Sequence, residues 1–199
     1  MSFPSSQNNL KDFWNEKYQT QKTGWDLGTI SIPLKTYFDQ ITNKELEILI
    51  PGCGNAWEAE YLFNNGFINT HIIDLSELAI KNFSERVPRF PKSQTFTQNF
   101  FDHNKKYDLI IEQTFFCAIN PIQRLEYAKK MRDLLNPGGK LVGLLFNIDL
   151  NTDHPPFGGS ITEYQSIFSP YFHIKKLESA HNSIQPRSGS EVFIQFEKK

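Results

Sequence analysis

At 199 residues the chain has the length of one domain and can bury roughly 70% of its unfolded surface without a covalent staple. Its 21 lysines and arginines face 22 acids, for a formal charge of −1, which excludes the basic surface that a nucleic-acid partner requires. Two cysteines without Cys-x-x-Cys spacing give neither a zinc site nor a disulfide framework, and there is neither an apolar run near ~18 residues nor a basic, apolar leader, so the chain reads as cytoplasmic with no membrane partner.

Residues 1–8 are polar and read as a disordered start. Leu10, Phe13, Trp14 and Tyr18 recur at helical spacing, which predicts a helix over 9–19. A polar loop, 21–28, is interrupted by Trp25. A second amphipathic helix is expected over 30–41, with Pro33 in its first turn. Residues 47–51 form a first strand, 55–65 a helix stopped by Gly66, and 67–74 a second strand. Ser76 caps a helix that runs until Pro88. A short strand follows at 95–98, then the continuous apolar strand 107–113, whose pattern fits burial on both faces. Asn120-Pro121-Ile122-Gln123 opens a helix that uses Ile122, Leu125, Ala128, Met131 and Leu135 as its inner face and ends at Asn136-Pro137-Gly138-Gly139. Strand 140–146, helix 162–168 and strands 172–180 and 191–196 complete the chain. Strands alternating with helices predict an α/β fold, a doubly wound, mostly parallel sheet in a single domain spanning 1–199, with residues 1–45 as a helical cover and 46–199 as the core.

The densest signal is Ile48-Leu49-Ile50-Pro51-Gly52-Cys53-Gly54-Asn55, followed by Ile72-Ile73-Asp74. A strand enters a glycine turn, and about 20 residues on a second strand ends in an acid, the layout of a Rossmann-like nucleotide site. Glycines allow close backbone approach, and the acid accepts hydrogen bonds from a ribose diol. The pattern is Gly-x-Gly without the third glycine, whose place is taken by Trp57, and no Gly-Lys-Ser/Thr is present. A nucleoside without a pyrophosphate is favoured over a dinucleotide or ATP, and S-adenosyl-L-methionine is the common case.

Further motifs carry a family resemblance over almost the whole chain. They are Phe13-Trp14 through Gly24-Trp25-Asp26-Leu27-Gly28, Pro51-Gly52-Cys53-Gly54, Ile73-Asp74-Leu75-Ser76-Glu77, Asn99-Phe100-Phe101, Phe115-Phe116-Cys117-Ala118-Ile119 and Leu135-Asn136-Pro137-Gly138-Gly139. The chain resembles the thiopurine methyltransferase superfamily, closest to its thiol and halide methyltransferase branch. The resemblance implies a Rossmann-like class I methyltransferase fold, with a seven-stranded sheet, an antiparallel last strand and an N-terminal helical lid. It also implies S-adenosyl-L-methionine as cofactor, S-adenosyl-L-homocysteine as product, and cofactor contacts at Trp14, Tyr18, Trp25, Gly52, Gly54, Asp74, Leu75, Asn99, Phe100, Glu112 and Gln113. The chain departs from the branch at Tyr18 (often Trp), Asn99 (often Asp) and Glu112-Gln113 (often Asp-Tyr), and carries His154-Pro155-Pro156-Phe157-Gly158-Gly159 where a Gly-Gly-Pro-Pro-aromatic loop is usual.

Each candidate has a plainer reading. Gly52, Gly54 and Asp74 also suit an ordinary strand-to-helix turn, although Ser76 as cap leaves Asp74 free for a ligand. Trp14 and Trp25 also suit packing of the cover, and Phe115 and Phe116 a loop anchor rather than an acceptor wall. Arg187, with His181 on the loop between the last strands, is either a solvated charge or the holder of an anionic acceptor. Cys117 has no histidine beside it to make a nucleophile, His173 reads as a structural histidine, and no residues have metal-ligand spacing. The activity expected is methyl transfer to a small soft nucleophile (thiol, thiopurine, bisulfide or halide) by a monomer or weak homodimer. The alternatives are an O- or N-methyltransferase, for which Asp149, Asp153, His154 and His181 are the candidate bases, and a non-catalytic S-adenosylmethionine-binding protein.

Overall fold

The computed structural model describes residues 7–199. The expected disorder of 1–8 therefore lies mostly outside the described residues, while Gln7 and Asn8 already belong to the first helix. The helices are α1 (Gln7–Gln19), α2 (Ile32–Phe38), α3 (Trp57–Asn64), α4 (Glu77–Arg86), α5 (Arg124–Leu134) and α6 (Ile161–Phe168). The strands are β1 (Ile48–Pro51), β2 (Thr70–Asp74), β3 (Thr95–Thr97), β4 (Tyr107–Gln113), β5 (Leu135–Phe146), β6 (Phe172–Ser179) and β7 (Glu191–Lys198). They form one seven-stranded sheet in the order β3-β2-β1-β4-β5-β7-β6. Pairs β1/β2, β2/β3, β1/β4 and β4/β5 are parallel, and β7 runs antiparallel to both neighbours.

Alternation along the central strands builds two apolar layers, because successive side chains leave a strand on opposite faces. Ile48, Ile50, Ile72, Leu109 and Ile111 join Leu34 and Phe38 of α2, Leu62 of α3 and Phe83 of α4 on one face. Leu49, Ile73 and Ile110 join Tyr127 and Met131 of α5 and Phe168 of α6 on the other. Both faces of β4 are covered, as its unbroken apolar run requires.

Several boundaries differ from expectation. Helix α2 is shorter at both ends. Ala56, at φ 53°, takes the left-handed conformation and delays α3 to Trp57. β2 starts at Thr70, since Thr70 Oγ1 donates to the Phe67 carbonyl and closes a turn there. β5 begins at Leu135, which pairs with Tyr107 ahead of a bulge formed by the Pro-Gly-Gly segment.

The inner face of α5 is also different. Ile122 is 87% exposed and Leu125 60%, and the buried stripe is Arg124, Tyr127, Ala128, Met131 and Leu134. Residues 121–123 form a 3-10 turn, which shifts the phase. Arg124 claims the inner position by donating to Glu163 Oε1 (2.6 Å) and the Gly158 carbonyl (2.7 Å), with its guanidinium over the Phe116 ring.

Candidate cofactor and acceptor site

β1, β2 and β4 end side by side, where strand order turns from leftward to rightward, and such a switch point leaves a crevice. Gly52 (φ 55°) and Gly54 (φ 54°) follow β1 in left-handed conformations. A Cβ at Gly52 would lie closer than 3.0 Å to three carbons of the Phe115 ring, and one at Gly54 would meet the Tyr18 hydroxyl at 2.8 Å. The glycines therefore let an aromatic wall and the cover close on the backbone, as well as a ligand.

Asp74 ends β2 with its carboxylate held on both oxygens. Gly54 N donates to Oδ2 (2.9 Å) and Ser76 N to Oδ1 (2.8 Å). Ser76 Oγ caps α4 by accepting from Ala79 N, as expected, yet Asp74 is oriented by these two N–H groups rather than left free. Each oxygen keeps a lone pair for a ligand hydroxyl. Burial pushes the Asp74 carboxyl above its usual range, against the pull of the Ser76, Gly54 and Leu75 amides.

The cover seats α1 on α4. Asn15 Oδ1 accepts from Ser76 Oγ (2.8 Å) and Leu78 N (3.3 Å), so the cover touches the segment that follows Asp74. Trp25 sits edge-on between Trp14 (5.5 Å) and Tyr18 (6.0 Å). All three line the cavity and are half-buried, so they face the site rather than the core. Asp26, which the sequence presents only as part of a motif, is a cavity residue that bonds to Asn55 of the glycine loop and to Trp57 of α3. Its Asp-x-Gly spacing signals an Asx-type turn, made here by Gly28 N donating to Oδ1 (2.8 Å). Nothing in the local sequence announces the two distant partners.

Beyond β4 the predicted residues separate. Gln113 lines the cavity with a buried Oε1 that has no hydrogen-bond partner. Thr114 holds φ 58°, costly for a β-branched residue, and turns the chain so that the Phe115 ring enters the cavity wall. Glu112 does not reach the cavity. Fully buried, it accepts from Phe115 N (2.7 Å), Phe116 N (2.8 Å) and the Tyr127 hydroxyl, and so builds the turn that carries Phe115. Phe116 is 1% exposed and packs edge-on to Tyr127 (5.1 Å) and Tyr164 (5.6 Å) beneath the site, which makes it the loop anchor. Cys117 faces the cavity, but burial, and then Glu112, push its thiol up to about 12, so it stays protonated and is no nucleophile at neutral pH. Arg187 lines the cavity without being a solvated charge. Its Nη1 donates to Glu191 Oε1 (3.2 Å) and its Nη2 to the Trp25 carbonyl (2.6 Å). His181 is exposed and does not line the cavity, and His173 is exposed on β6.

Burial raises the Glu112 carboxyl from 4.5 to about 7, and the Tyr127, Phe116 and Phe115 donors pull it back only in part. Below pH 4.5 folded and unfolded chains both carry the proton. Between 4.5 and 7 the unfolded chain loses it first, so stability falls with rising pH, by on the order of 3 kcal/mol in all, and levels off above 7. Glu112→Gln keeps an acceptor for the two amides and removes the titration. Melting curves of parent and variant from pH 4.5 to 8 should therefore converge toward low pH and diverge toward 7. A constant difference across that range would refute this assignment.

The whole cavity measures about 620 Å³, within the range of small-molecule sites. A sequence model of the family described as thiopurine S-methyltransferase matches residues 9–198. The chain belongs to the thiopurine S-methyltransferase family. Among curated relatives it is similar to thiocyanate methyltransferase 1 of Brassica oleracea, 30% identical over 193 residues, which cover 93% of this chain and 84% of that protein. A probable thiol methyltransferase 2 of Arabidopsis thaliana is 28% identical over the same shares. Among solved structures, the Burkholderia thailandensis 1,6-didemethyltoxoflavin-N1-methyltransferase superposes with a TM-score of 0.77 at 13% identity, covering 100% of this chain and 93% of that one. The magnesium protoporphyrin IX methyltransferase of Synechocystis PCC 6803 gives 0.75 at 14% identity, with both chains fully covered. At such identities the likeness is one of fold, and the class I methyltransferase architecture with its antiparallel last strand is the one observed.

This member of the family is an S-adenosylmethionine-dependent methyltransferase, and its own residues fit that cofactor. The lone pairs of Asp74 suit a ribose diol, the left-handed Gly52 and Gly54 leave no Cβ in the crevice, and the unpartnered Gln113 Oε1 offers an acceptor to an ammonium group. Asn99, Phe100 and Leu75 line the same side, with Asn99 Oδ1 accepting from Phe101 N (3.0 Å) to fix the turn after β3. Among the described residues no group of three or more His, Cys, Asp or Glu side chains is placed to hold a metal, and no helix is long and apolar enough to cross a membrane.

Proposed function

We propose that the enzyme methylates a small soft nucleophile, namely a thiol, thiopurine, bisulfide or halide, by in-line displacement. When bound, S-adenosylmethionine supplies a methyl group on a positively charged sulfur, already activated for attack. Trp14, Tyr18 and Trp25 present aromatic rings on which a cation is favourably held, each contact worth roughly 0.5–2 kcal/mol. Over β4, β5 and the loops before α6 and β7, the cavity wall includes Phe115, Cys117, Phe146, Ile148, Pro155 and Pro156, with Thr114, Ser190 and Arg187. This composition carries the proposal. This part of the wall is mostly apolar and holds neither carboxylate nor imidazole; the carboxylates that line the rest of the cavity are each engaged by donors, Asp26 by Trp57, Asn55 and Gly28, Glu58 by Ser31 N, and Asp74 by Gly54 N and Ser76 N.

The four candidate bases for a hard oxygen or nitrogen acceptor lie elsewhere. Asp149, Asp153, His154 and His181 are exposed and outside the cavity lining. An acceptor that arrives as an anion needs no base, and losing water raises its reactivity. The Arg187 guanidinium is the group that would hold it. Free thiols at Cys53 and Cys117 and a formal charge of −1 support a cytoplasmic setting and a small-molecule partner rather than nucleic acid, for a monomer or weak homodimer.

The test is cofactor consumption across iodide, bisulfide, thiophenol, an alkyl thiol, a thiopurine and catechol near pH 7. Thiophenol should outrun the alkyl thiol in proportion to its ionised fraction, and catechol should be poor. Preference for catechol would favour the O-methyltransferase alternative, and cofactor binding without turnover on any acceptor would favour a binding protein.

A further inference from the structure

Trp57 stands where a dinucleotide fingerprint has its third glycine, a position normally kept small for helix–strand packing. In the structure its ring packs under a cation, with the Arg86 guanidinium 3.8 Å from the ring centroid. Arg86 is itself tied to Glu60 Oε2 (2.7 Å) and to the Asn55 carbonyl. The indole N–H of this immobilised ring donates to Asp26 Oδ1 (2.6 Å), and the Asn55 side-chain amide donates to Asp26 Oδ2. One residue before Asp26, the Trp25 carbonyl accepts from Arg187. The Trp25-Asp26 pair is thus held from two sides, with its carboxylate on the helix that follows Gly54.

We propose that Asp26 is a positioning residue, a latch that fastens the cover loop to the glycine-loop helix and so holds Trp25 over the methyl-donor site. Trp57 replaces the third glycine because that position here serves as the strike of the latch. This inference rests on the methyltransferase reading. Asp26, Asn55 and Trp57 all line the cavity, so the latch sits against the space the cofactor would fill. Helix α1 is fixed to α4 through Asn15 and through the Lys11–Glu77 ion pair (2.6 Å). Opening therefore falls to the loop at 20–31 rather than to the whole helical cover. Each turnover must break and remake the two hydrogen bonds that the Asp26 carboxylate accepts from Trp57 and Asn55.

Trp57→Phe removes the N–H with part of the indole and keeps an aromatic ring to pack under Arg86. It is the informative variant should Asp26→Ala fold poorly. Calorimetry with S-adenosylhomocysteine should show Kd raised about 5–10-fold in Trp57→Phe and 30-fold or more in Asp26→Ala, with the double variant no worse than Asp26→Ala. Amide exchange at 24–28 should quicken in the same order, and KM for the cofactor should rise by more than kcat falls. Effects that multiply, or a Trp57→Phe enzyme with parental Kd and parental exchange, overturn the latch. A parent that binds no S-adenosylhomocysteine overturns the methyltransferase reading instead.

Discussion

Gly52→Ala is expected to weaken cofactor binding at least ~100-fold, about 2.7 kcal/mol, and to lower stability by roughly 2–5 kcal/mol. Two costs add. A left-handed φ of 55° costs an alanine about 1–2 kcal/mol, and the new methyl lands inside the Phe115 ring, closest to Cδ2 and Cγ rather than to its mobile tip. The ring cannot retreat freely, because Phe100 (5.3 Å) and Tyr127 (5.8 Å) pack against it and Glu112 holds its backbone N–H. Its escape is into the cavity, where it competes with the ligand. Gly138→Ala is the control. It has φ 74° with nothing within 4 Å of the new carbon, so it should lose only about 1–2 kcal/mol and bind cofactor normally. Calorimetry and thermal melts on both variants decide the matter, and equal cofactor affinity in the two would sink the argument.

The glycine loop and Asp74 were legible because their chemistry is local: left-handed turns need glycine, and an acid at the end of a strand faces the crevice. The seven-stranded sheet and its antiparallel last strand were legible at the level of the family resemblance. What the residues hid depended on distant partners. A charge on the inner face of α5 looks wrong to a periodicity reading, and Arg124 is acceptable there only because Glu163 and Gly158 O meet it from α6 and the loop before it. Ile122 and Leu125 filled the apolar pattern, but Ile122 lies in the 3-10 turn before α5 and Leu125 on the exposed face of α5. Glu112 lies at the end of β4, where cofactor contacts are expected, yet it answers the backbone of its own turn. Asp26 and Arg187 find partners 31 and 162 residues away, and no local pattern encodes such pairs.

Arg187→Ala is expected to cost about 3–5 kcal/mol, roughly 6–20 °C in Tm for a chain of this size, which is far more than a surface charge could. Glu191 is 4% exposed, and without Arg187 its carboxylate keeps only the Ser183 hydroxyl (2.7 Å) as a partner. The Trp25 carbonyl also loses its donor. If the uncompensated Glu191 charge causes the loss, Arg187→Ala with Glu191→Gln should recover most of the Tm and leave cofactor binding weak, since Trp25 stays unanchored. Glu191→Gln alone removes the negative partner and leaves the guanidinium facing the cavity. Its KM for thiophenolate should fall by a few fold, with no change for a neutral acceptor. Steady-state kinetics with both acceptors, beside thermal melts of the three variants, separate the two jobs of this residue. A double variant as unstable as Arg187→Ala would place the stability loss outside the ion pair. A Glu191→Gln enzyme that treats charged and neutral acceptors alike would remove Arg187 from acceptor recognition and leave it as an anchor of the cover.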